Sequence, residues 1–383
     1  MVEPNLGPTR SRLHALDALR LLAALSVVLF HYTSANSPSW GRPVEQVFPA
    51  LQSVTIYGAT GVYLFFMISG FVVLMSAWGR TTAQFIASRA ARLYPAYWLG
   101  VLLTGSLLFF NRHLPTGNEW PNIGPSGFFV NFTMFQTALG VNHVEGAYWT
   151  LWVELQFYIV LAGLVLLGVT RNRVLVLCAL WPVLGALSHL TGMTLLTEFL
   201  QPQYAPFFAI GMLIFLIRRD GWSPAPVGLL LANLAYALNI GATVIAPGLR
   251  PATTSTVSPT VVMLLIAGFT AVILLVTLTP VADLEWKWLT AAGALTYPLY
   301  LLHDAIGLWL ISLFPTSWSP WAVLSVVVFS MLVAAYLVNR FVEKPIGPRL
   351  RRAIEHSFDT VGARRRVFPP GNRQTNLADE SPR

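Results

Sequence analysis

Ten apolar runs, each of roughly 17 to 25 residues, divide this sequence and restrict what it can fold into. A run of that length spans a bilayer as a helix, because a helix satisfies its own backbone polar groups in lipid. Hydrophobic residues make up 55% of the 383 residues and charged residues 10%. Soluble domains have about 25% charged residues. The sequence therefore predicts an all-α fold, a polytopic membrane bundle of about ten transmembrane helices.

The predicted spans follow from the ends of the apolar runs. They fall near residues 14–33, 52–78, 94–111, 149–169, 174–192, 204–217, 226–246, 259–280, 288–314 and 320–341. The second and ninth runs are long for one crossing, so we expect tilting, or bends at Gly70 and Pro298. We predict a membrane domain over residues 13–345, in which Pro345 ends the last helix, and a basic, disordered cytoplasmic tail over residues 346–383.

Lysine and arginine residues are distributed unevenly between the two sets of loops. With the N-terminus inside the cell, the inward-facing segments carry 20 of these residues and the outward-facing segments carry three, Arg42, Arg112 and Arg250. Positively charged loops stay on the cytoplasmic side, so we predict that both termini are cytoplasmic and that the chain lies in the cell membrane. The same distribution explains the net charge of +8 without a nucleic-acid partner.

The longest predicted outward loop, residues 112–148, contains a semi-apolar piece, GFFVNFTMFQTAL. These 13 residues are too few to cross a bilayer, so we expect a re-entrant or interfacial segment. A substrate lid and an inert connector are both open as its role.

The first span, residues 13–32, carries ionisable groups that are costly in lipid. Arg20 lies near its cytoplasmic end and His31 at its external end. Eleven steps of about 100° bring both side chains to one face, and a rise of about 1.5 Å per residue separates them by about 16 Å. Ionisable residues inside a membrane usually face protein or water and serve a function. The plainer alternative is that Arg20 snorkels to lipid headgroups and His31 is an interfacial residue.

Two further sets of charged residues occur in or beside predicted spans. Arg89 and Arg92 are three positions apart, so they share one side of a helical turn and suit phosphate oxygens, although topogenic charge would also explain them. Glu154 lies about one and a half turns inside the external surface, at a depth similar to that of His31. We therefore predict a His31–Glu154 pair.

Small residues in the second span favour helix packing. Gly61 and Gly70 allow another backbone to approach closely, and Ser69 can hydrogen-bond to a neighbouring helix. The only cysteine, Cys178, is predicted to be a buried packing residue, because a single thiol cannot form a disulfide within the chain.

Six segments, in this order along the chain, resemble acyltransferase family 3, a family of integral membrane acyltransferases. They are Arg20 and His31 with ten residues between them, GVYLFFMISGF, RAARLYP, WTLWVELQFY, TYPLYLLH and VEKP, and they cover residues 13 to 345. Thr150 and Thr296 stand where the family usually has serine, and each keeps a hydroxyl group.

The resemblance implies O-acylation, most often acetylation, of a hydroxyl group on a carbohydrate-containing acceptor, with acyl-CoA as the donor. It implies that His31 is the base, since a positioned histidine suits proton removal near neutral pH, and that Glu154 orients or assists it. Arg20, Arg89 and Arg92 would gather the CoA phosphates. We expect Arg20 and His31 to face one cavity, so that an extended pantetheine arm reaches the imidazole. Direct transfer and an acyl-histidine intermediate both stay open.

Three more residues are assigned to the substrate cavity, namely Trp149, Tyr297 and His303, although His303 is nearly as well explained as a satisfied intramembrane histidine. We expect no metal site and no tightly bound cofactor, and the lipid bilayer as a partner; the oligomeric state is not predicted. The rival function is a proton-coupled carrier or flippase, since buried ionisable groups and a helix broken at Pro298 also occur in transporters.

Overall fold

The computed structural model describes residues 13–114, 119–252 and 256–367. Within these ranges the fold is helical and has no β-strand. The thirteen helices of eight or more residues there are α1 (His14–Thr33), α2 (Gly61–Ala77), α3 (Thr82–Asn111), α4 (Trp120–Asn131), α5 (Trp149–Leu167), α6 (Arg171–Leu190), α7 (Ala205–Asp220), α8 (Pro224–Ile240), α9 (Pro259–Leu278), α10 (Lys287–Leu302), α11 (Ala305–Ser312), α12 (Pro320–Val338) and α13 (Lys344–Val367). Four shorter α-helices are Val44–Val47, Gln52–Thr55, Thr194–Leu200 and Ala246–Leu249.

The predicted membrane bundle is confirmed. In the described ranges, nine helical segments are long and apolar enough to cross a membrane, and a bent pair makes ten if it counts as one span. The nine are His14–Thr33, Gln52–Ala77, Thr82–Asn111, Gly146–Leu167, Arg171–Leu190, Thr194–Asp220, Pro224–Leu249, Pro259–Leu278 and Pro320–Phe358. The pair is Trp288–Leu302 with Ala305–Ser312.

The third crossing helix begins twelve residues before the predicted position 94, at Thr82. Thr81 and Gln84 form a capping box, in which the Thr81 hydroxyl accepts from the Gln84 backbone N–H at 3.3 Å and the Gln84 side chain accepts from the Thr81 N–H at 3.2 Å. Such a cap satisfies two backbone donors that a helix N-terminus leaves without partners. Arg89 and Arg92 therefore lie inside α3 rather than in a loop.

Neither of the two long spans bends at the residue that the sequence indicated. α2 continues through Gly70, and α10 continues through Pro298. The ninth span instead breaks by 70° after Leu302, and the two residues at the break are His303 and Asp304.

The last span does not end at Pro345. A π-helical turn, Asn339–Glu343, follows α12, and α13 then runs through Pro345 to Val367. A π turn is wider than an α turn, which relieves the clash between a proline ring and the carbonyl group four residues earlier. The predicted disorder of the tail therefore does not apply to residues 346–367, and residues 368–383 lie outside the described residues.

Helix α1 lies between α2 and α10. At the first contact, a Cβ atom added to Gly61 would lie 2.8 Å from the Ala23 carbonyl oxygen, and at the second a Cβ atom on Gly293 would lie 2.5 Å from the Asp17 Cβ atom. Small residues on the neighbouring helices thus bring α1 to the middle of the bundle. This position buries Asp17 and places one face of α1 towards the protein interior.

The closest helix contact joins α2 to α7. A Cβ atom added to Gly211 would lie 1.9 Å from the Met67 carbonyl oxygen, and one added to Gly70 would lie 2.1 Å from the Phe208 carbonyl oxygen. The packing role predicted for Gly61 and Gly70 is confirmed. Ser69, one residue earlier, donates a hydrogen bond to Glu154 on α5 at 3.3 Å, as expected for a polar residue that links helices.

Replacing Gly211 with alanine is expected to lower the free energy of unfolding by about 3 kcal/mol, because the new methyl group meets backbone rather than a mobile side chain. The measurement is thermal or denaturant unfolding in detergent. Gly163→Ala is the matched control, since a Cβ atom at Gly163 meets nothing within 4 Å. Equal stability of the two variants would contradict the close contact of α2 with α7.

The long loop that the sequence predicts to face outward folds back along α3. The Tyr97 hydroxyl donates to the Asn131 carbonyl oxygen at 2.6 Å, and the Trp98 indole N–H donates to the Phe132 carbonyl oxygen at 3.1 Å. Tyr97 precedes the end of α3 at Asn111 by 14 residues, or about 21 Å of helix. The loop therefore returns to about the middle of α3, a path that fits the re-entrant alternative.

Candidate active site

A cavity of about 630 Å³ lies between α1, α2, α3, α5, α10 and α13. Cations surround the end that the sequence predicts to be cytoplasmic; they are Arg89, Arg92, Lys344 and Arg351. Aromatic and hydroxyl side chains close the other end; they are Phe65, Thr150 and Tyr300. The cavity is thus positively charged at one end and mainly apolar at the other, and its length follows the helices.

The middle of the cavity contains Arg20 and Glu154, which the sequence analysis selected. The Glu154 carboxylate accepts hydrogen bonds from Tyr158 at 2.5 Å and from Ser69 at 3.3 Å. The charge of Arg20 interacts with Glu154 and with Asp17 of its own helix. These contacts supply the partners that buried charges need and hold both side chains at the cavity wall.

The positively charged end is built mainly on α3. Arg92 forms an ion pair with Glu343 of the π-helical turn at 3.0 Å and lies over the Tyr297 ring at 5.3 Å. Arg89 lies over the Tyr158 ring at 5.7 Å. The structure therefore brings Arg20, Arg89 and Arg92 to one cavity, where the guanidinium groups of Arg89 and Arg92 lie over aromatic rings.

His31 is not one of the residues that line this cavity. It lies beyond the closed end, where its ring contacts the His303 ring at a centroid distance of 5.0 Å, and the His303 ring in turn lies 5.4 Å from the Tyr300 ring. The expectation that Arg20 and His31 face one cavity is therefore not met, since Arg20 and Tyr300 line this cavity and His31 does not. The Tyr300 hydroxyl contacts the Thr150 hydroxyl at 2.8 Å and donates to the Ala147 carbonyl oxygen at 3.1 Å.

The carboxylate partner of His31 is Asp304 rather than Glu154. The His31 Nδ1 atom lies 3.0 Å from Asp304 Oδ1, and the two side chains are 22% and 7% exposed. Glu154 is instead engaged with Tyr158 and Ser69. The predicted His31–Glu154 pair is wrong, since two residues at similar depth on different helices do not necessarily face each other. The 22% exposure of His31 leaves its ring accessible.

Glu145 holds the helix break that carries Asp304. Both of its carboxyl oxygens accept from the Ala305 backbone N–H, at 3.1 and 3.2 Å, at the start of α11. Its carboxyl group is also hydrogen-bonded to that of Asp304. Burial, followed by the neighbouring Asp304 carboxylate, raises the pKa of Glu145 above its usual range. Of the two adjacent carboxyl groups, Glu145 is therefore the more readily protonated, and in that form it can donate towards Asp304.

His303 is fully buried, and only one of its two ring nitrogen atoms has a hydrogen-bond partner among the described residues. Its Nδ1 atom contacts the Tyr300 carbonyl oxygen at 2.8 Å, and its Nε2 atom has no hydrogen-bond partner among the described residues. The carbonyl group of His303 accepts from the Tyr32 hydroxyl at 2.7 Å, which connects the end of α1 to the helix break. His303 is thus a neighbour of His31 rather than part of the cavity wall.

The other two residues assigned to the substrate cavity differ in position. Tyr297 lines the cavity and donates from its hydroxyl to the Leu93 carbonyl oxygen at 3.0 Å. Trp149 does not line it and packs on the Tyr204 ring at 5.5 Å. In the described ranges, no group of three or more His, Cys, Asp or Glu side chains is placed to hold a metal ion.

The sequence analysis missed Glu145 and gave Asp304 no role. Asp304 follows His303 directly in the ninth span, so its position inside an apolar run was a usable signal. Glu145 lies just before the fourth crossing helix, where a carboxylate needs no explanation. Its backbone partner at the helix break, Ala305, is 160 residues away, and no local pattern indicates that contact.

Comparison with known proteins finds a family whose model matches this sequence. The model of a family described as an acyltransferase domain matches residues 13–340. The chain is 30% identical to acyltransferase MdmB of Streptomyces mycarofaciens over 157 residues, 40% of this chain and 39% of that protein. It is 39% identical to exopolysaccharide production protein ExoZ of Rhizobium meliloti (strain 1021) over 111 residues, 28% of this chain and 34% of that protein.

A third relative is nodulation protein 10 of Rhizobium leguminosarum bv. viciae, which is 30% identical over 171 residues, 38% of this chain and 42% of that protein. In each case the match spans less than half of the relative. No solved structure matches the chain.

Proposed function

Because this chain belongs to the acyltransferase-domain family, whose model spans residues 13–340, we propose that it transfers an acyl group from acyl-CoA to a hydroxyl group. The acyl group is most simply acetyl. The acceptor is a carbohydrate-containing molecule of the cell membrane or surface, such as a glycan, a lipid-linked sugar or a glycosylated metabolite. The name of the exopolysaccharide production relative supports a carbohydrate acceptor.

The observation that carries the proposal is the cavity with cations at one end and an apolar closed end near His31. Acyl-CoA has a charged nucleotide end and a long, weakly polar arm that ends in the thioester. Arg89 and Arg92 would bind its phosphates, since a guanidinium group can donate two parallel hydrogen bonds to the oxygens of one phosphate. The arm would then lie along the cavity towards Tyr300, past Arg20 and Glu154.

His31 is the proposed base. The Asp304 carboxylate accepts a hydrogen bond from Nδ1–H, which fixes the tautomer and leaves the Nε2 lone pair for the acceptor hydroxyl group. As Nε2 takes the hydroxyl proton, the oxygen bonds to the thioester carbonyl carbon and the carbon–sulfur bond breaks. The CoA sulfur then leaves as the thiol by taking that proton from Nε2, which restores the neutral imidazole. An acyl-histidine route would use the same Nε2 atom as nucleophile.

Glu154 receives a different part in this proposal from the one predicted. Asp304 orients His31, so Glu154 acts inside the cavity, where it balances the charge of Arg20 and can accept hydrogen bonds from the amide groups of the pantetheine arm. Tyr300 stands between the arm and His31. Transfer therefore requires the Tyr300 side chain to move, which breaks its contacts with Thr150 and Ala147.

The proposed function is tested with purified protein in detergent, labelled acetyl-CoA and extracts of the host's glycans and glycolipids. We expect free CoA thiol to appear only when extract is present and label to appear in an extract component. Folded protein that releases no thiol and labels nothing would contradict the proposal. Transport of a solute into proteoliposomes without any acyl donor would favour a carrier instead.

A further inference from the structure

Helix α13 borders the cavity, although the family model ends at residue 340 and the VEKP segment of the resemblance reaches only the second residue of this helix, Pro345. The residues of α13 that line the cavity are Lys344, Gly347, Pro348 and Arg351. The first two turns of this helix therefore form part of the cavity mouth, and nothing in the family match assigns them a role.

Two contacts fix α13 at the mouth. A Cβ atom added to Gly347 would lie 3.1 Å from the Ala91 carbonyl oxygen, so the helix passes close to α3 between Arg89 and Arg92. The Arg92–Glu343 ion pair, at 3.0 Å, anchors the preceding π-helical turn. The start of α13 is thus held beside the two arginine residues of α3.

Lys344 and Arg351 share one face of α13. Seven residues are two turns less about 20°, and at about 1.5 Å per residue the two positions are about 10 Å apart along the axis. Lys344 is exposed, and Arg351 is also exposed and pairs with Glu355 of its own helix at 2.9 Å. An exposed pair of this kind is weak, so it leaves Arg351 able to bind an anion.

The balance of charge at the mouth depends on these two residues. Glu343 partly compensates Arg92, whereas Arg89 has a tyrosine ring as its close neighbour. Lys344 and Arg351 therefore supply much of the remaining positive charge. They lie at the outer edge, where the nucleotide end of a donor would be if its thioester pointed towards Tyr300.

We propose that Lys344 and Arg351 form a second phosphate site, which binds the ribose 3′-phosphate of the acyl-CoA donor while Arg89 and Arg92 bind its diphosphate. The inference rests on the proposed function. A phosphate monoester carries between one and a half and two negative charges at neutral pH, about as in phosphoserine, so it favours a cluster of cations. The same chemistry would suit the phosphate of a lipid headgroup, and the experiment below separates the two sources.

The test compares Lys344→Ala/Arg351→Ala with Arg349→Ala/Arg352→Ala, a control that removes two charges from the same helix at positions that do not line the cavity. Each is assayed with acetyl-CoA and with 3′-dephospho-acetyl-CoA. We expect the first variant to raise KM for acetyl-CoA about tenfold, without a change in kcat, because charge-assisted contacts are lost. With the dephospho donor, native protein already has the higher KM and the variant adds nothing further.

The assays are repeated in nanodiscs of phosphatidylcholine with and without phosphatidylglycerol. An effect of the variant that needs the anionic lipid and ignores the 3′-phosphate would overturn the inference in favour of a headgroup site. An equal effect on both donors, or none, or the same effect in the control, would overturn it as well. Native protein that neither binds nor consumes either donor would overturn the proposed function, and the phosphate site with it.

Discussion

Replacing His31 with alanine is expected to lower kcat for acetyl transfer by about 10³-fold, the usual contribution of a positioned general base. The reason is that the variant loses the imidazole proposed to accept the hydroxyl proton, and the one other imidazole whose ring contacts that of His31 in the described part of the chain cannot replace it. His303, the neighbouring imidazole, is fully buried, so an acceptor cannot reach it. KM for acetyl-CoA should stay unchanged, because His31 lies outside the donor cavity behind Tyr300. Free thiol release and product formation give kcat, and calorimetric titration gives the affinity for CoA.

A second variant separates chemistry from folding. His31→Ala leaves Asp304 without its imidazole, whereas His31→Asn places an amide N–H near the position of Nδ1 and keeps a donor for that carboxylate. We expect both variants to lose activity and the asparagine variant to keep native stability. His113→Ala is the matched control, because His113 lies in the loop predicted to face outward, with a side chain that is 71% exposed. Activity that survives in His31→Asn would remove His31 from the role of base.

The membrane architecture could be predicted because the length of an apolar run decides whether it can cross the bilayer as a helix. Helix ends could not be predicted equally well. The capping box at Thr81 and Gln84 extends α3 into polar sequence that hydropathy assigned to a loop. In the ninth span, proline suggested a bend at Pro298, but the break follows Leu302. There the chain is held by Glu145 and Tyr32, and both come from segments distant in sequence.

The candidate site could be predicted only in part, because local spacing is visible in the sequence and the packing of distant segments is not. Helical spacing predicted that Arg89 and Arg92 share one side of a helix, the family resemblance grouped Arg20 with them, and all three line one cavity. Depth alone then failed for His31, because it matched this residue to Glu154 without information on which way either helix faces. Asp304 was visible in the sequence, but only the packing of α1 against α10 selects it as the partner.

Replacing Asp304 with asparagine is expected to lower kcat by about 10³- to 10⁴-fold, as the loss of a carboxylate behind a catalytic histidine commonly does. An amide in its place can donate to Nδ1, which puts the imidazole proton on Nε2 and removes the lone pair that takes the hydroxyl proton. KM for acetyl-CoA and the unfolding temperature should change little. A variant that loses CoA affinity in parallel with kcat would show that Asp304 only supports the fold.

Glu145→Gln is expected to have a much smaller effect than Asp304→Asn, a loss of less than about tenfold in kcat. Burial and the Asp304 charge raise the pKa of Glu145 and so favour its neutral, proton-donating form, and a glutamine amide is also a neutral donor of similar shape. Asp304 must carry the charge because it faces the imidazole directly. The order of the two losses therefore reports which carboxyl group holds the proton, and a larger loss for Glu145→Gln would reverse the assignment.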